Sequence, residues 1–295
     1  MIDYIYLGIY KTFKVILSLL PRRFRNRVLA VLAAWAYRVS KKHRIIIDRN
    51  LDIAYEGKLG QQEKQYIGKA AFENLIDTVF GIIERDGMSH KKVLENVSFE
   101  GEEIIERYKK EGKHFILVTG HYGNWELLSQ AIALRFDLKL VGVGRKLDSD
   151  LMDRVLKQNR EQFNVEMVYK KGALKGCIDA IRDQKIVGIL TDQHIRKNQS
   201  IDVTFFGHKA THTPLASILS RKFGLDMIPA FIHTEDYKHY KVTIYDPILT
   251  RKTDNQEEDL AILTQAQSDM MEKVIKQDPK QWFWMHNRWK GCEKR

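Results

Sequence analysis

His121 and Glu126 stand five residues apart in Gly120-His-Tyr-Gly-Asn-Trp-Glu126, directly after the apolar run Phe115-Ile-Leu-Val-Thr119. A neutral imidazole oriented by a carboxylate is a general base. Two residues at this spacing diverge by about 140° on one helix. They can pair only if His121 lies in a turn and Glu126 in the first turn of the helix that follows. Asn124 is a suitable N-cap, and Gly120 and Gly123 permit the tight backbone. The competing reading is a structural histidine at a strand end. No nucleophile accompanies the pair: there is no G-x-S-x-G elbow, and neither Cys177 nor Cys292 has a base beside it in sequence. The pattern therefore predicts a base that activates a hydroxyl of a substrate.

Other candidates are weaker taken singly. Arg145 and Asp192 each follow an apolar run, and each could equally be a solvated or turn-forming residue. Arginine there suits bidentate anion binding. Phe205 and Phe206 could line an acyl chain or simply be core. No metal site is expected: His208 and His212 lie between Gly207 and Pro214, in what reads as a loop, and there is no H-E-x-x-H. Gly142 and Gly144 lack the third glycine of a dinucleotide loop. Near the C-terminus, Trp282, Trp284 and Trp289 beside Arg288 and Lys290 could form an interfacial belt or dock on the core.

The elements that would position these residues alternate between strand and helix. Strands are predicted at Phe115–Thr119, Leu138–Gly144, Val165–Tyr169, Ile186–Thr191, Met227–His233 and Tyr240–Tyr245. Helices are predicted at Gln61–Ile83, Glu102–Lys110, Asn124–Arg135, Ser149–Phe163, Ala173–Gln184, Pro214–Phe223 and Gln256–Gln277. Thr213, Pro214 and Gly224 punctuate the penultimate helix as N-cap, first residue and C-terminal stop. Such alternation implies an α/β fold: a mostly parallel central sheet flanked by helices. Sites in such sheets lie at the carboxyl ends of strands, where His121, Arg145 and Asp192 all fall.

The charge is uneven. Of the net +11, residues 1–50 carry +9 and the remainder +2. Ile2, Ile5, Leu7, Ile9, Phe13, Ile16, Leu17 and Leu20 make residues 2–20 largely apolar, with Asp3, Lys11, Lys14 and Ser18 on one narrow face. Pro21 ends this helix, an arginine run follows, and Val28–Val39 forms a second apolar helix. A bilayer span takes about 20 uncharged residues, so Lys11 and Lys14 leave spanning and in-plane anchoring equally open. A plain helical hairpin is the alternative. The expected division is a membrane anchor over 1–44 and an α/β catalytic domain over 45–295. Nucleic acid is not the expected partner, because the basic residues alternate with aliphatic ones. Two distant cysteines predict no disulfide and a reducing compartment.

The ordered set of motifs resembles the bacterial lipid A biosynthesis (lauroyl/myristoyl) acyltransferases, within the lysophospholipid acyltransferase superfamily. It comprises Gly120–Glu126 as the H-x-x-x-x-D/E box, Gly144-Arg-Lys-Leu-Asp148 with Arg160, Gly188-Ile-Leu-Thr-Asp-Gln193, Phe205-Phe-Gly207 with Thr213, and Gln281–Lys290, with Asn50-Leu51 upstream. The box ends in Glu where most of the superfamily has Asp, a choice common in the lipid A family. The resemblance implies His121 as base, Glu126 as its orienting acid, and Arg145, Arg160 and Asp192 as substrate-site residues. It implies transfer of a fatty acyl group from acyl carrier protein to a hydroxyl of a lipid A precursor, the Kdo-linked tetraacyl disaccharide, without cofactor. The place implied is the cytoplasmic face of the inner membrane. The rivals are an acyl-CoA-dependent enzyme acting on another glycolipid, such as a phosphatidylinositol mannoside, and a non-catalytic lipid-binding protein.

Overall fold

In the computed structural model, which describes residues 2–291, Pro21 divides the N-terminal segment into helices α1 (Ile2–Leu19) and α2 (Arg22–Val39). The second begins six residues before the apolar run, because Pro21 supplies a compatible φ at its N-cap and arginines propagate helix well. Next come α3 (Lys41–Ala54), which the sequence pattern does not delimit, and α4 (Gln61–Arg85). Helix α3 runs unbroken through position 44, and α2 packs along α4.

Among the described residues no helix is long and apolar enough to cross a membrane, which removes the spanning form of the N-terminal anchor, one of the two that the sequence leaves open. The reason is visible in α1. Its inward line is Asp3, Leu7, Tyr10, Lys14 and Leu17, at helical spacing. Tyr10 donates to Asp86 (3.0 Å) and Lys14 pairs with the same carboxylate (2.8 Å). The apolar side chains Tyr4, Ile5, Ile9 and Leu19 instead face outward.

The rest of the chain builds the predicted α/β body. Helix α5 (His90–Leu94) and strand β1 (Val97–Glu100) precede α6 (Glu102–Lys110) and β2 (Phe115–Thr119). Then follow α7 (Trp125–Arg135), β3 (Leu140–Gly144), α8 (Asp150–Glu161), β4 (Val165–Tyr169), α9 (Ala173–Arg182) and β5 (Ile186–Leu190). A hairpin of β6 (Ile201–Phe205) and β7 (His208–His212) leads to α10 (Leu215–Phe223), β8 (Asp226–Thr234), β9 (Tyr240–Ile244) and α11 (Gln256–Gln277). The seven-stranded sheet has the order β1-β9-β8-β2-β5-β3-β4, parallel throughout except for the β8–β9 pair. Strand β2 is buried on both faces, as its unbroken apolar run requires. Phe115 and Leu117 pack with α6 and α7, whereas Ile116 and Val118 face Cys177 of α9, Leu219 of α10 and Leu263 of α11.

The hairpin is a correction. His208 and His212 sit on a strand, not in a loop. Four residues along a strand separate them by about 13 Å, too far to share one ion. Gly224 closes α10 in the left-handed conformation as expected, with Pro214 at the N-cap, one position earlier than its predicted place. Cys177 is free and buried; Cys292 lies outside the described residues.

The C-terminal tryptophans are not an exposed belt. Trp282, Trp284 and Trp289 are buried together with Phe205 and Phe206 against α3, α4 and α11. Polar contacts fix this tail. Asn50 donates to the carbonyls of Trp284 (2.8 Å) and His286 (2.7 Å), and His286 Nε2 accepts from the backbone N–H of His194 (2.8 Å). That acceptor role requires an unprotonated Nε2. Burial pushes the His286 pKa down to about 4, partly opposed by Asp192 and reinforced by neighbouring cations. In the unfolded chain the imidazole binds a proton below about 6.5, so native stability falls as pH drops from there towards 4. The slope attributable to His286 is on the order of 2 kcal/mol over that window, allowing for its partial solvent contact. Thermal unfolding at pH 7 and pH 4.5 should therefore show a smaller acid-induced drop for His286→Gln than for the parent chain.

Candidate active site

Strands β2 and β5 lie side by side and parallel, with Thr119 opposite Leu190. The backbone N–H of Thr191 still bonds the carbonyl of Thr119 (2.9 Å). Two residues further along each chain, the same register sets His121 opposite Asp192. Residues 71 apart in sequence thus become neighbours. The imidazole Nδ1 lies 2.8 Å from Asp192 Oδ1, and the backbone N–H of His121 donates to Oδ2 at 2.9 Å.

A third donor comes from the tail: Trp282 Nε1 to Asp192 Oδ2, 2.8 Å. Asp192 is 3% exposed. Burial opposes its ionisation, but the charge and hydrogen bond of His121, the Trp282 indole and the His121 backbone N–H outweigh burial. Together they hold its pKa well below the usual carboxylate range. An ionised carboxylate only accepts, so Nδ1 carries the proton and Nε2 presents its lone pair outward. The side-chain amide of Gln193 lies 3.2 Å from that Nε2. Trp125 meets the imidazole edge-on at 5.0 Å between ring centroids, and Phe283 flanks it at 5.9 Å.

The turn is held from the other side by the tail. Phe283 N–H bonds the carbonyl of His121 (3.0 Å), and Gly123 N–H bonds that of Gln281 (2.9 Å). Gly123 adopts φ 54°, and a Cβ there would fall 2.1 Å from the carbonyl oxygen of Ile232, so only glycine fits. Asn124 caps α7 through its side-chain oxygen, which accepts from Leu127 N–H (3.1 Å).

Glu126 is in the first turn of α7 as expected, but it does not hold His121. Both its oxygens are engaged by Arg160 of α8, Nη2 to Oε1 at 2.6 Å and Nε to Oε2 at 3.0 Å. The helix start points Glu126 towards α8, and the place beside Nδ1 is already taken by Asp192. The orienting carboxylate predicted from spacing is therefore replaced by one delivered through strand register. Arg145 stands apart. Its side chain is 76% exposed and pairs with Asp148, 2.7 Å away on the same loop.

His121, Trp125, Glu126 and Arg160 stand at one cavity of about 170 Å³ between the sheet and α7. Its walls are Leu117, Leu128, Leu140, Val165, Met167 and Leu190, with Gly142, Gly144 and Gly188 along the strands. The glycines occupy strand positions facing α7 where neighbouring side chains close over them: a Cβ would fall 2.4 Å from Met167 at Gly144 and 3.1 Å from Leu140 at Gly188. Phe205 and Phe206 are not part of this lining; they belong to the tryptophan cluster. Among the described residues no group of His, Cys, Asp or Glu is placed to hold a metal ion. The contact of Gln193 with the imidazole and the two tail contacts to the His121 turn escape sequence reasoning, since nothing local marks them. The glycine spacing of two in β3 is a readable signal of close packing on one strand face.

The sequence profile of the family described as "Bacterial lipid A biosynthesis acyltransferase" matches residues 1–291. A "Lipid A biosynthesis acyltransferase" of Haemophilus influenzae is 27% identical over 285 residues, 95% of this chain and 86% of that one. The "Lipid A biosynthesis lauroyltransferase" of Escherichia coli is 25% identical over 267 residues, 88% and 83% of the two chains. Among solved structures, the 1-acyl-sn-glycerophosphate acyltransferase of Thermotoga maritima aligns over 89% of this chain and 99% of its own, with 14% identity and a TM-score of 0.40. With a profile match spanning all but its last four residues, the chain belongs to the bacterial lipid A biosynthesis acyltransferase family.

Proposed function

We propose that this enzyme transfers a fatty acyl group from an acyl carrier protein thioester to a hydroxyl of a lipid A precursor, the Kdo-linked tetraacyl disaccharide. The observation that carries the reading is the His121–Asp192 pair at the mouth of an apolar cavity. The acceptor hydroxyl takes the place of the Gln193 amide at Nε2 and gives its proton to His121. Asp192 stabilises the imidazolium that forms, in the manner of a triad carboxylate. The freed alkoxide attacks the thioester carbonyl, forming the ester C–O bond. Collapse of the tetrahedral intermediate breaks the C–S bond, and the departing thiolate recovers the proton from His121. The acyl chain lies in the cavity beside α7, and the Glu126–Arg160 pair borders the reacting end. The exposed Arg145 suits the anionic headgroup of the acceptor at the rim.

The outward apolar face of the N-terminal helices supports in-plane seating on the cytoplasmic face of the inner membrane. Leu19 is 77% exposed, Val31 67% and Trp35 63%, beside the basic residues of α2. Exposed apolar side chains on both helices, with basic residues on α2, fit an anionic lipid interface.

Incubation with acyl carrier protein thioester and the tetraacyl precursor, read by mass spectrometry, should show one added acyl chain. No addition to any lipid A precursor would refute the reading. His121→Ala and Asp192→Asn should each lower kcat by about 10²- to 10⁴-fold. Their effects should be non-additive with each other, as should those of Glu126→Gln and Arg160→Met. Strong coupling of Glu126→Gln to His121→Ala with none to Arg160→Met would restore Glu126 as the orienting acid.

Gly142→Leu should fill the cavity and shift donor preference towards shorter acyl chains, measured as the ratio of kcat/KM values across a donor series. Val31→Glu with Trp35→Glu should weaken co-sedimentation with vesicles containing anionic phospholipid; unchanged binding at low and high salt would remove α2 from the lipid face.

A further inference from the structure

Arg25 lies in the N-terminal helix pair, yet it is 1% exposed. Its guanidinium donates through Nε and Nη2 to the two oxygens of Glu84 (3.0 and 3.2 Å), and its Nη1 lies 2.7 Å from Asp77 Oδ1. Asp77, equally buried, accepts from the hydroxyl of Tyr240 (2.8 Å to Oδ2) and from the side-chain amide of Asn124 (2.8 Å). Asn124 is the N-cap of α7, and its amide can cap in only one orientation. The oxygen must face Leu127 N–H, so the nitrogen must find an acceptor on the opposite side. Asp77 is that acceptor. Helix α4 comes close enough because residue 81 is glycine: a Cβ there would meet the Asn124 amide nitrogen at 3.0 Å and an Arg85 guanidinium nitrogen at 2.4 Å.

We propose that Arg25 is a positioning residue for acyl transfer, acting through Asp77 on the Asn124 cap that sets the first turn of α7. That turn carries Trp125, packed on the His121 ring, and Glu126, held by Arg160. Arg25 fixes the carboxylate of Asp77 between α2 and α4. The carboxylate fixes the Asn124 amide, and the cap fixes the helix start. The N-terminal helices are thus part of the frame of the site as well as a lipid-facing surface. The kinetic arm of the inference rests on the acyl-transfer reading above; its structural arm does not.

The test uses the full-length chain with Arg25→Met, Asn124→Ala and the double variant, and with Leu219→Ala as a destabilised control in the remote face under α10. Hydrogen exchange should show about tenfold faster exchange of the amides of residues 125–128 in each of the two single variants, with no change in the control. Steady-state kinetics at a temperature where every variant is folded should show kcat lowered about 10- to 100-fold with KM nearly unchanged. The double variant should be no slower than the worse single one, because both break the same link. Unchanged amide protection in Arg25→Met, or a kcat loss no larger than that of Leu219→Ala, overturns the inference. Should Arg25→Met not fold, Arg25→Lys keeps the charge, cannot span both carboxylates, and is read in the same way. A parent chain that transfers no acyl group defeats the acyl-transfer reading instead, while the exchange result still decides the role of Arg25.

Discussion

The site depends on one buried charge. Asp192 is enclosed at the end of β5, where an uncompensated carboxylate would be costly. Its three donors come from two places: the backbone and ring of His121, and the indole of Trp282. The carboxylate therefore joins the central strand pair to the C-terminal tail. With it ionised, the imidazole has one tautomer and one orientation, and its free nitrogen faces the cavity. The tail follows from the same constraint. Trp282 must reach the carboxylate, which draws Gln281 and Phe283 into backbone pairing with the His121 turn. The buried tryptophans around it make that placement rigid. The tail is thereby a wall of the active site, although it lies far from His121 in sequence.

Much of the body was legible because its signals are local. The strand-like run before Gly120, the Asn124 cap, the Gly224 stop of α10 and the spacing of the parallel strands all appear in place, while α10 starts one residue later than Thr213-Pro214 implies. The convergence of His121 and Asp192 at strand ends was also readable from the rule for parallel sheets. Which carboxylate would touch the imidazole was not. A motif spacing of five describes what the chain can do locally. The contact is decided by the alignment of β2 with β5, and no local pattern encodes register. The same blindness hid the pairing of Glu126 with Arg160, which depends on how α8 crosses α7.

The glycines of β3 and β5 and the C-terminal tryptophans are ambiguous in sequence for different reasons. Gly142 and Gly144 lack the third glycine of a phosphate loop. Their meaning lies in period two: both face α7, as does Gly188 on the adjoining strand. Their small size lets Met167 and Leu140 close over the strands and form the cavity wall beside the base. The tryptophans offered two readings because an aromatic-basic mixture suits a membrane interface and a folded core alike. Burial settles it: Trp282 meets Trp284 and Phe205 edge to face, Trp289 packs tilted against Phe205, and Arg288 donates to the carbonyl of Thr211 from inside the fold.

The N-terminal helices invert the usual arrangement. Their polar and charged groups, Tyr10, Lys14 and Arg25, turn inward to Asp86, Glu84 and Asp77, while aliphatic and aromatic side chains turn outward. In water alone this arrangement is unfavourable twice over, since apolar area stays wet and ions are desolvated. The two unfavourable terms have different remedies. The ions are compensated within the protein by paired carboxylates and the Tyr240 hydroxyl. Among the described residues the apolar area has no such remedy, which is the ground for the proposed lipid seating. The charged network ties the helix pair to the Asn124 cap, and that cap directly precedes Trp125 and Glu126 at the cavity that holds the base.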